Sequence, residues 1–245
     1  MKTILTFAIA ALVSFSVFAQ SGANRSLSSF TEVSVQEGID AILTKGSKES
    51  ARIEADGIDI EDVITEVSGG VLKLELEGDN HRNVDVTIYV TYVELEALKA
   101  SSAGSIKVKD KVIAKGDFDI RCSSAGDIEA NIEADEMDID VSSAGDVELI
   151  ISVNQLDIEV SSAGDVEIEG TAKYVDASAS SSGDIDAYDL SCDEADLRAS
   201  SGASIKLTVK EKLDGRASSG GSIRYAGNPK YVDGDSSSGG SVKRS

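Results

Sequence analysis

Carboxylates recur in pairs along this sequence of 245 residues, in positions where they could bind cations or act as acids and bases. In four successive segments, an Asp follows a Ser-Ser-Ala-Gly or Ser-Ser-Ser-Gly motif, and a second acidic residue stands two positions later. These eight residues are Asp127, Glu129, Asp146, Glu148, Asp165, Glu167, Asp184 and Asp186. Hard cations such as Ca²⁺ take carboxylate oxygens, and extracellular calcium sites can be weak. The pattern leaves two interpretations open: a row of weak Ca²⁺ sites, or a solvated acidic face that keeps the protein soluble.

The serines of the same motif are the next candidates for chemistry. The motif and its variants occur eight times, and their first residues are Ser101, Ser123, Ser142, Ser161, Ser180, Ser200, Ser218 and Ser237. A nucleophilic serine needs an adjacent base, but the sole histidine, His81, lies outside the repeats and no Gly-x-Ser-x-Gly elbow occurs. His81 is interpreted as a solvated loop residue. Repeated serines favour an architectural role at chain corners, so no catalytic residue and no cofactor other than Ca²⁺ is predicted.

The elements that must position these residues are short β-strands. Apolar residues alternate with polar ones on both sides of the motif, as in Phe118, Ile120 and Cys122 before it and Ile128, Ala130 and Ile132 after it. The motif recurs at intervals of 22, 19, 19, 19, 20, 18 and 19 residues. A near-constant period predicts units stacked in register rather than hairpins. We therefore expect an all-β fold, a single-stranded parallel β-helix with repeats of about 19 residues.

The N-terminus has the pattern of a secretory signal peptide over residues 1–19. Lys2 precedes an apolar stretch, and Val17-Phe18-Ala19 fits a cleavage site before Gln20. We expect an exported protein, located in the periplasm, on the cell surface or outside the cell, with no transmembrane segment in the mature chain. Residues 20–100 are predicted to be an N-terminal β region, a cap or the first coils. Residues 101–245 are predicted to form the repetitive coils, continuous with 20–100 as one domain.

Charge and composition restrict the partners. The formal net charge is −21, and aromatic residues make up 4% of the chain. A chain this acidic is a poor candidate for nucleic acid or anionic membranes, which bind clustered Lys and Arg. Residues 201–245 are basic, and Lys243 and Arg244 are interpreted as charges that protect an open strand edge, with head-to-side association as the alternative. Cys122 and Cys192 are too few for a disulfide framework, and Cys122 is predicted to be a buried free thiol.

Several short motifs resemble one known family. The run from Phe30 to Asp40, the turn Ser68-Gly69-Gly70-Val71-Leu72 and the step from Leu98 into Ser101-Ser102-Ala103-Gly104 are similar to the head GIN domain proteins, also called putative auto-transporter adhesins. Gly38-Ile39-Asp40 stands where the family has Gly-Ile-Asn. The resemblance spans nearly the whole mature chain. It implies a right-handed parallel β-helix, an envelope or surface setting typical of Bacteroidetes-type bacteria, and no catalytic residues.

Three functions remain open from the sequence. The first is a non-enzymatic envelope or surface protein, an adhesin that binds an envelope protein or a glycan through one face of the β-helix. The second is a self-assembling structural protein, a homo-oligomer built by stacking coils end to end. The third is a carbohydrate-active enzyme, since β-helices host such enzymes and a glycosidase needs two carboxylates at a suitable separation. Acids spread through every repeat do not mark one active site, which disfavours the third.

Overall fold

The fold is described from a computed structural model, which defines residues 21–78 and 83–245. The predicted signal peptide, residues 1–19, and His81 lie outside the described residues. Within the described part the chain is almost entirely β-structure, with one short 3-10 helix at Ile60–Asp62. No helix in residues 21–78 and 83–245 has the length and apolar character needed to cross a bilayer.

The strands are mostly short and alternate between buried and exposed residues. Their bounds are β1 Ser21–Ser26, β2 Glu32–Val35, β3 Asp40–Lys45, β4 Ser50–Asp56, β5 Val63–Ser68, β6 Val71–Leu76, β7 Asp85–Tyr92, β8 Ala97–Ala100, β9 Ser105–Val108, β10 Val112–Ile113, β11 Phe118–Cys122, β12 Asp127–Glu133, β13 Glu136–Val141, β14 Asp146–Ser152, β15 Gln155–Val160, β16 Asp165–Ala179, β17 Asp184–Ala199, β18 Ser204–Ala217, β19 Ser222–Gly227, β20 Tyr231–Ser236 and β21 Ser241–Arg244. The alternation predicted from the sequence is confirmed along the repeats.

Parallel pairing between successive coils gives the molecule two principal faces. Face A runs through β6, β2, β8, β11, β13, β15, β16, β17, β18 and β20. Face B runs through β7, β3, β9, β12, β14, β16, β17, β18, β19 and β21. The long strands β16, β17 and β18 contribute to both faces. The result is the predicted β-solenoid, with about eight turns and a spacing of about 19 residues.

The serine motif forms the corner between face A and face B. In the corner at Ser142 the two central residues, Ser143 and Ala144, have φ of 52° and 60°, and the Gly145 N–H donates to the Ser142 carbonyl at 3.0 Å. Positive φ at both central positions defines a type I′ turn. The Ala144 N–H donates to the Ser162 carbonyl of the next coil at 3.1 Å. Backbone hydrogen bonds therefore continue through the corners, which is why the same turn can recur in register.

The last residue of the corner motif is small because the preceding coil approaches closely. A Cβ built on Gly145 would lie 2.8 Å from the carbonyl carbon of Cys122. A Cβ built on Gly126 would lie 2.7 Å from the carbonyl carbon of Ala100. No side chain fits at such distances without a backbone shift, so the position serves packing between coils.

The core is one narrow stack of inward-facing side chains. Ile120, Ile139 and Ile158 lie in register, and all are buried. Further along face A the equivalent positions are occupied by Ala177, Leu197 and Gly215. Both cysteines are buried and free, which confirms the prediction for Cys122.

Candidate binding face

The eight acidic residues predicted from the sequence lie together on face B. Asp127, Asp146, Asp165 and Asp184 form one column in register, and Glu129, Glu148, Glu167 and Asp186 form the next. Burial raises the pKa of Asp146 and Asp165 above the usual value, and the neighbouring carboxylates of the column raise it further. The two columns are therefore a region of mutual repulsion.

Basic side chains neutralise the ends of these columns. Lys107 pairs with Glu129 at one end, and Lys206 lies 2.7 Å from Asp186 at the other. Among residues 21–78 and 83–245 no group of three or more His, Cys, Asp or Glu side chains is arranged to hold a metal ion. The Ca²⁺ sites remain a prediction for these eight residues.

Face A carries an aspartate column that the sequence interpretation missed. Seven aspartates pair in register on successive strands: Asp119, Asp138, Asp157, Asp176, Asp196, Asp214 and Asp233. Strand spacing places neighbours about 4.8 Å apart along the axis. Burial raises the pKa of Asp138, and the carboxylates of Asp157 and Asp119 raise it further. The sequence does contain a pattern that predicts this column, since each aspartate stands four residues before the first serine of a corner motif.

Arginines in the adjacent column partly compensate this charge. Arg198 bridges two aspartates of the column, with its guanidinium nitrogens 2.8 Å from Asp176 and 3.0 Å from Asp196. Arg121 lies 3.4 Å from Asp119. The Oδ1 atom of Asp196 is buried and has no hydrogen-bond partner among the described residues. Among residues 21–78 and 83–245, neither of the central aspartates Asp138 and Asp157 forms an ion pair, so their charge is not neutralised.

Exposed aromatic side chains flank the aspartate column on its other side. Tyr174, Glu194, Lys212 and Tyr231 follow one another in register, and the side chains of Tyr174 and Tyr231 are 54% and 71% exposed. Each of these two tyrosines stands 13 residues after the first serine of a corner motif, and the register places both on face A. An exposed tyrosine offers a rigid amphipathic contact at low entropic cost.

A groove lies where the tyrosine column meets the aspartates. Its volume is about 300 Å³, and Tyr174, Asp157, Asp176, Asp196 and Lys212 are among its lining residues. A second hollow of about 560 Å³ continues from Asp157 and Asp176 towards Arg121 and Asp138. The lining is dominated by carboxylates, so the groove suits a ligand that carries positive charge or many hydroxyl donors, with Tyr174 as a stacking surface.

Comparisons with known proteins agree on family and fold. The family model described as "Putative auto-transporter adhesin, head GIN domain" matches residues 29–229. No protein among the curated sequences matches the chain. A crystal structure of a putative lipid binding protein from Parabacteroides distasonis ATCC 8503 superposes with a TM-score of 0.83 at 20% identity, covering 94% of this chain and 98% of that one. A putative adhesin from Parabacteroides merdae ATCC 43184 gives 0.83 at 17% identity, with 94% and 97% covered. At such identities the likeness concerns the fold alone.

Proposed function

The chain belongs to the family of putative auto-transporter adhesins with a head GIN domain, and from this premise we propose that it is an exported, non-enzymatic binding protein that engages its partner through face A. The observation that carries the proposal is the groove bounded by the aspartate column and the exposed Tyr174. Export is supported by the signal-peptide pattern of residues 1–19 and by the family's adhesin name.

The chemistry of the groove narrows the partner to an envelope protein or glycan that presents cationic or hydroxyl groups. Carboxylates accept charge-assisted hydrogen bonds from ammonium or guanidinium groups, and Tyr174 can stack on a sugar ring or receive a cation. The similar structure named a lipid binding protein suggests a further class. Here five of the ten residues that line the groove are acidic and one is basic, which favours a cationic head group over an acyl tail.

The test is binding of the purified protein to an array of glycans and envelope proteins, with and without Ca²⁺. We expect the double substitution Asp157→Asn/Asp176→Asn, and separately Tyr174→Ala, to weaken binding of the captured partner at least about tenfold, a loss of about 1.4 kcal/mol. The matched control is Asp127→Asn/Asp146→Asn, which makes the same change of charge on two neighbouring coils of face B.

The outcomes separate the alternatives. Equal loss of binding in the face A and face B variants would show that net charge rather than the groove is recognised, and would contradict the proposal. Release of reducing ends from any glycan of the array would instead support the carbohydrate-active enzyme.

A further inference from the structure

From Glu129 to the last coil, one outer column of face B changes the sign of its charge once. Lys107, which precedes Glu129 in register, lies outside this stretch and is paired with Glu129. The residues of the stretch pair in register from strand to strand in the order Glu129, Glu148, Glu167, Asp186, Lys206, Arg224 and Lys243. The first four are acidic and the last three are basic. The sign changes between the coil of Asp186 and the coil of Lys206, which we call the charge boundary.

The adjacent column of face B changes character at the same charge boundary. Its order is Asp127, Asp146, Asp165, Asp184, Ser204, Ser222 and Ser241. Carboxylates, which only accept hydrogen bonds at neutral pH, give way to hydroxyls, which can donate them. This second observation concerns different residue types, yet it divides the face at the same place.

Placing the acidic residues at one end of a column and the basic residues at the other is unfavourable within a single molecule. Like charges directly opposite on neighbouring strands destabilise a sheet, and alternating signs would remove that repulsion. Lys206 at the charge boundary pairs with Asp186 and Asp184. Among the described residues, Glu148, Glu167, Arg224 and Lys243 form no ion pair. These four side chains therefore present unneutralised charge on the surface of face B.

We propose that face B is a docking surface for a second copy of this chain, packed with its coil axis antiparallel about a two-fold axis that lies along the strands at the charge boundary. In a two-fold interface, residue i contacts residue j and j contacts i. Asp186 then faces Lys206 of the second copy, Glu167 faces Arg224, and Glu148 faces Lys243. In the other column the aspartates face the serines in the same way, and every pair occurs twice.

The charges select this arrangement over other assemblies of the chain. A two-fold axis along the coil axis would place residues of the same coil opposite each other, so that acids would face acids and bases would face bases. End-to-end stacking would use strand edges and would leave both columns unpaired. The six shared coils span about 29 Å at about 4.8 Å each. With strand segments about 16 Å long, the area buried on the two copies together is about 900 Å². This area is in the range of weak, reversible associations.

Charge-swap variants test the proposal by sedimentation velocity. At about 100 µM and low salt we expect dimer, and its dissociation at about 0.5 M NaCl, where charges are screened within a few ångströms. Glu167→Lys and Arg224→Glu should each raise the dimer dissociation constant at least about tenfold, whereas the double variant should restore it to within about threefold. The matched control is Glu159→Lys on face A, which should leave it unchanged. Each single variant also removes like-charge repulsion within one copy, so an undiminished melting temperature excludes unfolding as the cause.

The register is tested by zero-length carbodiimide cross-linking with mass spectrometry. We expect a peptide that joins Glu148 to Lys243, residues about 24 Å apart within one chain and therefore joined only between copies. Asp186 and Lys206 lie 2.7 Å apart within one copy and serve as the positive control for the coupling. A protein that stays monomeric, single variants that dimerise like the original chain, or a double variant that does not recover would each overturn the proposal.

Discussion

At the scale of single residues, the corners show how stacking imposes unusual backbone conformations. Ser143 and Ala144 both occupy the left-handed region, which costs an ordinary residue about 1–2 kcal/mol. In the later coils glycine takes the second of these positions, as at Gly202 and Gly220. The cost is offset because each corner donates a backbone hydrogen bond to the next coil.

The two thiols make the stability of the protein depend on alkaline pH. Burial raises the pKa of Cys122 to about 11 and that of Cys192 to about 12. In the unfolded chain a thiol ionises near pH 8.5, so between that pH and the raised values the unfolded state binds fewer protons than the folded one. We expect the free energy of unfolding to fall by up to about 1.4 kcal/mol per pH unit for each thiol above about pH 8.5.

The measurement for this prediction is urea unfolding under reducing conditions at pH 8, 9 and 10 (about one unit apart, to resolve the slope). The control is Cys122→Ala/Cys192→Ala, which should lose the slope while keeping the fold. A slope that persists in this variant would show that other groups cause the alkaline loss.

Residue patterns made both sets of acidic columns predictable from the sequence, whereas the charge boundary was not. The eight acids of face B follow the serine motif directly, so their shared position is visible from the repeat. The aspartates of face A precede the motif by four residues, with the same period, and could have been found by the same count. The charge boundary required alignment of coils in which Lys206 and Arg224 replace acids, and that register comes from the pairing of strands.

At the scale of elements, the N-terminal strands depart from the repeat. β4 pairs antiparallel with both β1 and β7, and β5 pairs antiparallel with β6. The sequence predicted an N-terminal β region over residues 20–100, but period-two alternation carries no information on strand direction. It also gave no sign that β2 lies between β6 and β8. The division of the chain at residue 100 stays a prediction.

Arg25 links strands that extend the two faces at this end of the molecule. β1 extends face B through β4 and β7, and β5 extends face A through β6. From β1 Arg25 donates to the Ile60 carbonyl at 2.7 Å and to Thr65 Oγ1 at 3.0 Å, and it also donates to the Val63 carbonyl. Hydrogen bonds from a charged donor contribute about 1.5–3 kcal/mol, and the acceptors would be left partly buried. We expect Arg25→Met to lower the free energy of unfolding by about 2–3 kcal/mol in urea titrations.

The control for Arg25 is Arg52→Met in the neighbouring strand. Arg52 is exposed, pairs with Glu54 and lies 4.0 Å above the centre of the Tyr89 ring. Exposed ion pairs and cation–π contacts each contribute about 1 kcal/mol or less, so this loss should be smaller. Equal losses for the two variants would show that Arg25 acts as a surface charge and not as a link between faces.

At the scale of the whole molecule, the formal charge of −21 is a patterned quantity. Between Cys122 and Ala172 there are 14 acidic residues and no Lys or Arg, whereas face B carries basic residues before this stretch, at Lys107, and after it, from Lys206 onward. Face A gathers aspartates beside exposed tyrosines, and face B places acids and bases about one charge boundary. Because different faces carry the two patterns, the proposed partner site and the proposed self-association surface use different residues.

The clustering of acidic residues on the two faces predicts how the stability of the protein responds to acid and salt. Burial, followed by neighbouring carboxylates, raises the pKa of Asp40, Asp138, Asp146 and Asp165. The folded state therefore binds protons at a higher pH than the unfolded chain, whose Asp pKa is about 3.9. Stability should rise as pH falls from neutral towards that value, so we expect a higher melting temperature near pH 5 than at neutral pH.

Calorimetry at both pH values, with salt added, checks this expectation and the Ca²⁺ sites together. Screening by NaCl should raise the melting temperature at neutral pH more than near pH 5, because fewer carboxylates are charged in acid. Asp138→Asn should reduce the pH dependence, and the exposed Asp189→Asn outside the columns should not.

If the columns of face B only repel, CaCl₂ and NaCl of equal ionic strength should act alike. A larger rise with millimolar CaCl₂, lost in Asp146→Asn/Asp165→Asn, would instead place cations on face B.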